Sequence, residues 1–171
     1  MPFVRYSGGV RRPPDQTQFR YALGHFPVGV TVMTTCLGER LHGMTVSAFC
    51  SVSLEPLLVL VCVEKVTHMH QLVEQSRVFA VNVLGAGDEA TSRFFADDAR
   101  LRGPEFIPGS YRAGATGCPI LNQATAYVEA RVRQSYDGGD HTIFLGEVVA
   151  LDVPSENPPL VFYRGGYTTL K

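Results

Sequence analysis

The chain lacks tryptophan altogether and has only four cysteines in 171 residues, Cys36, Cys50, Cys62 and Cys118. None stands two residues from another, which excludes a zinc knuckle or a redox dithiol of the Cys-x-x-Cys kind. Free cysteines in such apolar surroundings read as small hydrophobes in a reducing compartment, so a cytoplasmic protein is expected. An excess of charge is missing too: 15 Lys and Arg face 16 Asp and Glu, for a net charge of −1. That balance argues against a fold-wide grip on nucleic acid or an anionic membrane. No apolar run nears the roughly 20 residues that span a bilayer. Arg5, Arg11 and Arg12 are not followed by the apolar stretch of a secretory signal. A Gly-x-Ser-x-Gly elbow is absent, which removes one route to serine hydrolysis. His68 and His70 fall on a predicted helix, where positions i and i+2 diverge, so no metal site is expected.

What is present suits one packed domain: 45% of the residues are apolar and 18% are charged. Residues 1–14, with Gly8, Gly9, Pro13 and Pro14 among arginines, read as a flexible arm before a domain over 15–171. Asp15 can cap a helix over 16–25, with Phe19, Leu23 and Phe26 forming one buried stripe. Strands are predicted over 28–35, 41–47, 57–63, 77–84, 126–136, 141–152 and 160–163. The 57–63 run, LLVLVCV, is apolar on both faces and is expected centrally in a sheet. Short helices are predicted over 67–74 and 88–95, and residues 100–119 read as one long surface connection. Asp137-Gly138-Gly139-Asp140 supplies a hairpin turn. Along 126–136, Val128, Ala130 and Val132 alternate with Glu129, Arg131 and Arg133. Strands outnumber helices and consecutive ones can pair antiparallel. The expected fold is mainly β, an antiparallel split or nearly closed barrel with a few peripheral helices.

One glycine pattern is a decoy. Gly85-Ala86-Gly87-Asp88-Glu89-Ala90 follows a strand and opens a helix, as a dinucleotide fingerprint does. Two carboxylates occupy the helix start where a pyrophosphate would sit, so a turn with an acidic cap is the better reading. More informative is the small-residue strip from Thr45 to Ser51 (TVSAFCS), between strongly apolar strands. Small side chains let a flat ligand approach the main chain, whose amides and carbonyls can read a heteroaromatic edge. A Ser/Thr-rich strand end and loop would have the same composition.

At this strip the sequence resembles the flavin reductase family. Phe19-Arg20 to Phe26 and Gly29-Val30-Thr31-Val32-Met33-Thr34-Thr35 resemble its opening. Gly43-Met44-Thr45-Val46-Ser47-Ala48-Phe49 and Ser51-Val52-Ser53-Leu54-Glu55-Pro56 are similar to its flavin-binding core. Phe79 to Leu84, Asp137 to His141 and Phe162 to Tyr167 resemble its later blocks, in order, so that the resemblance covers nearly the whole chain. More closely, the chain resembles the small reductase component of two-component flavin-dependent monooxygenases.

The resemblance implies a homodimeric split barrel that passes hydride from reduced nicotinamide to a flavin and supplies reduced flavin to a partner monooxygenase. It implies FAD or FMN held non-covalently, with FAD slightly favoured, and a reduced nicotinamide donor, NADH favoured over NADPH. Thr45, Val46, Ser47, Ala48 and Phe49 would line the isoalloxazine through main-chain groups, with Ser51 nearby. Cys62, Lys65, Thr67 and His70 correspond to the ribityl and phosphate side, although the 65–70 segment departs from the Ser/Arg-rich run common in relatives. Ala80 and Asn82 would flank the cofactor, and Arg93 and Phe94 would reach its phosphate or adenine. His141, Tyr163, Arg164 and Tyr167 correspond to the nicotinamide-nucleotide face, with His141 as the catalytic candidate. Two rivals share the barrel: a non-catalytic flavin- or haem-binding carrier or sensor, and an enzyme that oxidises its substrate directly with tightly held FMN.

Overall fold

A computed structural model describes residues 13–170. The arm read over 1–14 lies outside the described residues, except for Pro13 and Pro14, which are exposed. Helix α1 (Gln16–Leu23) opens the structure and is followed by β1 (Val28–Gly29), β2 (Thr31–Leu37), β3 (Arg40–Val46), β4 (Phe49–Leu54) and β5 (Leu57–Glu64). Next come α2 (His68–Ser76), β6 (Val78–Val83), α3 (Glu89–Ala96) and a 3-10 turn over Asp98–Arg102. The chain ends with β7 (Tyr111–Ala113), β8 (Pro119–Leu121), β9 (Ala126–Gly138), β10 (His141–Asp152), β11 (Leu160–Tyr163) and β12 (Gly166–Thr169).

Seven strands form one sheet in the order β3-β2-β6-β9-β10-β5-β4, every neighbouring pair antiparallel. Side chains from all seven converge on one apolar cluster: Met33, Val46, Phe49, Val61, Phe79, Val132 and Phe144 each come from a different strand. A sheet whose members all feed one interior is curled on itself, and Met69 and Val73 of α2 pack into the same cluster. The edge strands β3 and β4 are consecutive in the chain and joined only by Ser47 and Ala48, yet no ladder pairs them. The structure is therefore a split barrel, and the seam runs past the small-residue strip. Because β6 is antiparallel to both of its neighbours, the glycine turn after it does not belong to a parallel dinucleotide-binding unit.

The local signals behave as their chemistry dictates. The Asp15 carboxylate accepts from the Gln18 amide at 2.8 Å, and the Gln18 side chain accepts from the Asp15 amide at 3.2 Å, completing a capping box. The β9–β10 hairpin turns through Gly139 and Asp140, and Gly139 sits at φ +82°, a conformation that suits glycine.

Several expectations are corrected. Phe19, Leu23 and Phe26 are 61%, 50% and 68% exposed, because no element among the described residues covers that side of α1. The predicted strand 28–35 is broken at Val30, whose amide bonds Leu160 and whose carbonyl accepts from Leu84, so β1 turns away to pair with β11. The 57–63 run lies inside the sheet, but only Val59, Val61 and Val63 are buried; Leu58, Leu60 and Cys62 face outward half-buried. The 100–119 segment is not simply a surface connection, since Arg100, Cys118 and Pro119 are buried. Glu129 is only 1% exposed, because the 114–118 turn folds over it and donates from the Ala115 and Thr116 amides and the Thr116 hydroxyl. Among the described residues no helix is long and apolar enough to cross a membrane.

Candidate functional site

The seam between β3 and β4 gathers residues from distant parts of the chain. Ser47, Ala48, Cys50 and Ser51 are exposed there, while Val46 is buried and Phe49 packs partly against the barrel core. Ladder pairing of β4 with β5 continues one step beyond the strand, where the Cys62 amide donates to the Ala48 carbonyl at 3.0 Å. The strip is thus pinned on its β5 side and open on the other. Burial raises the thiol pKa of Cys62, and nearby Cys50 adds to it, so this cysteine stays protonated.

On the β3 side the strip is braced by α3. The Thr45 hydroxyl donates to the Ser92 carbonyl at 2.6 Å, and the Ser92 hydroxyl shares a 2.9 Å hydrogen bond with the Tyr167 hydroxyl. The Arg93 guanidinium lies over the Tyr167 ring, 4.9 Å from its centroid, while pairing with Glu89 at 2.7 Å. Two of the predicted residues, Thr45 and Tyr167, therefore meet through one the sequence reading missed, Ser92, and a third, Arg93, joins them at the Tyr167 ring. A lone serine inside a short amphipathic helix carries no signal of its own. Phe94 is 42% exposed and contacts Phe95 edge-on.

Beneath the same strand lies a second device that sequence reasoning missed. Glu105 accepts from His42 Nδ1 at 2.8 Å and from the Gly43 amide at 3.3 Å, and Arg100 donates to the Gly43 carbonyl at 2.7 Å. Burial alone would raise the Glu105 pKa. The hydrogen bond and charge of His42, the Gly43 amide and the charge of Arg100 outweigh it and hold the pKa below its ordinary value. Gly43 is required here, because a Cβ would stand 2.6 Å from the Phe95 ring.

At the other end of the strip, Lys65, Thr67, His70 and His141 collect around the β9–β10 hairpin. The Lys65 ammonium donates to Asp137 and to the Gly139 carbonyl, and its amide donates to the Asp140 carbonyl at 3.0 Å. The lysine pulls the Asp137 pKa down, and His141, 2.7 Å from Asp140, pulls that carboxyl down as well. The Thr67 hydroxyl caps α2 by accepting from the His70 amide, and the His70 ring meets the Thr142 hydroxyl at 2.8 Å and lies 5.5 Å from Phe144. Lys65, Thr67 and His70 thus already have partners within the chain. The side chain of His141 is 41% exposed at the rim.

Two predicted residues are not brought to the seam. Ala80 and Asn82 are fully buried on the side of β6 that β8 covers. Asn82 donates to the Val32 and Pro119 carbonyls and accepts from the Leu121 amide at 2.8 Å, so its polar groups lock β2, β6 and β8 together. Tyr163 and Arg164 sit at the β11–β12 turn, where the Arg164 amide donates to the Gly24 carbonyl at 2.8 Å and ties the turn to the end of α1.

The antiparallel sheet curled on itself, with its unpaired seam, makes this a small split-barrel protein. The chain belongs to the family described as flavin reductase like domain, whose profile matches residues 23–171. An NADH-dependent FAD reductase of Streptomyces globisporus is 46% identical over 139 residues, covering 80% of this chain and 76% of the relative. The reductase subunit HsaB of a flavin-dependent monooxygenase from Mycobacterium tuberculosis is 38% identical over 160 residues, covering 92% and 83%. Among solved structures, the Streptomyces globisporus C-1027 NADH:FAD oxidoreductase SgcE6, in complex with NAD and FAD fragments, superposes with a TM-score of 0.87. It is 39% identical, over 96% of this chain and 98% of that one.

Proposed function

We propose that this chain is an NADH-dependent reductase of FAD or FMN that supplies reduced flavin to a separate monooxygenase. The observation that carries the reading is the exposed, small-residue seam at Ser47 and Ala48, braced by Ser92 on one side and by Cys62 on the other. The seam fits a flavin: the side chains of Ser47 and Ala48 are small, and no ladder joins β3 to β4, so that only the Ala48 carbonyl is drawn off, by the Cys62 amide. The names of the relatives, an NADH-dependent FAD reductase and a monooxygenase reductase subunit, support the same assignment.

A bound flavin would supply the electron-pair acceptor for the hydride of a reduced nicotinamide. The chain has to align, orient and exclude water, and no strong acid or base is needed. Main-chain groups from Thr45 to Phe49 and the Ser51 hydroxyl read the polar ring edge. The Thr45 hydroxyl, engaged with Ser92, fixes the strand rather than the ligand. Cys62, Lys65, Thr67 and His70 hold the ribityl and phosphate side, the last three by fixing the hairpin and the start of α2. Arg93 and Phe94 serve the phosphate or adenine side. His141, Tyr163, Arg164 and Tyr167 form the face that receives the nicotinamide nucleotide. Ala80 and Asn82 act from behind, by keeping β6 in place.

The working unit is a homodimer. The uncovered Phe19 and Leu23 of α1, Phe26 just beyond it, and the outward, half-buried Leu58, Leu60, Ile143 and Leu145 of β5 and β10 leave apolar surface that a second copy would bury. The decisive experiment is anaerobic: catalytic amounts of protein with NADH should bleach added flavin. A protein that binds flavin but leaves it yellow with NADH and with NADPH is a carrier, and the proposal falls.

A further inference from the structure

We propose that Ser92 is a positioning residue for hydride transfer: the strand bearing the flavin seam hangs on its carbonyl and the nicotinamide face hangs on its hydroxyl, so that one side chain sets the spacing between them. This rests on the reductase reading. Ser92 lies inside α3 and is fully buried. Its amide donates to the Asp88 carbonyl at 3.0 Å, and the Asp88 carboxylate accepts from the Gly85 amide at 2.9 Å. The serine is thereby fixed to the turn that follows β6.

Two bonds leave this residue for different parts of the fold. The Thr45 hydroxyl reaches its carbonyl from β3, and the Tyr167 hydroxyl meets its hydroxyl from β12. β3 is an edge of the seven-stranded sheet, whereas β12 belongs to the separate sheet β1-β11-β12. Ser92 therefore links the two sheets at the residues assigned to the two ligands.

The other contacts of Tyr167 are less exacting. Phe162, its partner in the β11–β12 ladder, meets the ring edge-on at 5.3 Å, and the Arg93 guanidinium, paired with Glu89, lies over the ring face. Aromatic contacts hold over a centroid range of about 4.5–7 Å, so they leave the ring room to slide. A hydroxyl–hydroxyl bond at 2.9 Å removes that freedom.

Reaction rate is what such a constraint controls. Hydride donor and acceptor have to stand about 3–3.5 Å apart, and a displacement of about 1 Å can cost on the order of a hundredfold. Both reacting groups belong to bound molecules, so the chain sets their separation only through the surfaces that seat them.

Ser92→Ala removes the hydroxyl and leaves the carbonyl to Thr45. Tyr167→Phe removes the same bond from its half-buried partner and keeps the ring. In each variant, single-turnover bleaching of flavin at saturating NADH should slow on the order of tenfold, while the flavin Kd changes less than about twofold. The double variant should be no slower than the singles, because all three lack one and the same bond. In ligand-free protein, the Tyr167 and Thr168 amides should exchange with deuterium on the order of threefold faster, the scale of one lost hydrogen bond, with Thr45 and Val46 unaltered. Bleaching as fast as the parent's, a flavin Kd that rises in step with the rate loss, additive losses in the double variant, or unaltered exchange in β12 would overturn the role. If the parent itself left flavin yellow with NADH, the reductase reading would fail instead, and the exchange rates would still decide whether Ser92 fixes β12.

Discussion

The Thr45 hydroxyl donates to the Ser92 carbonyl at 2.6 Å, so the last turns of β3 before the seam are held by a helix that lies 47 residues later in the chain. Thr45→Val keeps the shape and removes the donor, leaving the Ser92 carbonyl without that bond. The expected cost is ~1 kcal/mol, seen as a drop of about 2–4 °C in Tm. Flavin affinity, followed by fluorescence quenching, should weaken in parallel. A variant with unaltered Tm and unaltered flavin affinity would show that the brace is idle.

His141 stands at the rim with its ring against Asp140 and lines one cavity with Phe19 and Arg20. His141→Ala should slow NADH oxidation by roughly ten- to a hundredfold, the scale of a misplaced reactant, while flavin binding changes little. Single-turnover bleaching separates the two effects. Turnover equal to that of the parent would remove His141 from the nicotinamide face.

Glu105 supplies an acid-sensitive element. Its pKa is lowered in the fold, so its contribution is present above the ordinary carboxylate range and is lost as pH falls through the folded value. Stability should therefore decline on going from about pH 6 to below about pH 4, where carboxylates titrate. Glu105→Gln should be less stable at neutral pH and should show a shallower decline. Urea midpoints at the two pH values measure both, and parallel curves for parent and variant would refute the assignment.

Gly43 is crossed by the Phe95 ring, with only 2.6 Å available to a Cβ. Gly43→Ala should push α3 away from β3 and cost ~1–3 kcal/mol. Because the same helix carries Ser92 and Arg93, flavin affinity should fall with stability. Chemical denaturation beside a flavin titration tests the coupling.

Short-range chemistry was readable from the chain itself. The Asp15 cap, the Thr67 start of α2 and the Gly139 turn each depend on neighbours within a few residues, and the sequence displays those neighbours. The barrel class followed from alternation and hairpins. The Cys and Ser residues of β4 have the composition of a loop, and it is pairing with β5 on one side that makes the segment a strand. Residues 100–119 were misjudged for a related reason: glycine and proline mark the turns, but the burial of Arg100 depends on Glu105 and on the Gly43 carbonyl far along the chain. In the site, residue size singles out the strip from Thr45 to Ser51, but the same composition suits a strand end and loop, and only the resemblance separates the two. Whether a polar side chain there is free cannot be read from the chain, since Lys65 is tied to a hairpin 72 residues away and Asn82 to β8.

The β2 strand has five consecutive residues, Thr31 to Thr35, shielded from solvent on both faces, with β3 and β6 bonded along its flanks. Its amides have no route to deuterium short of opening the whole sheet, so they should be the last in the molecule to exchange. Their rate would then serve as a gauge of global unfolding, against which the faster opening of the seam can be timed.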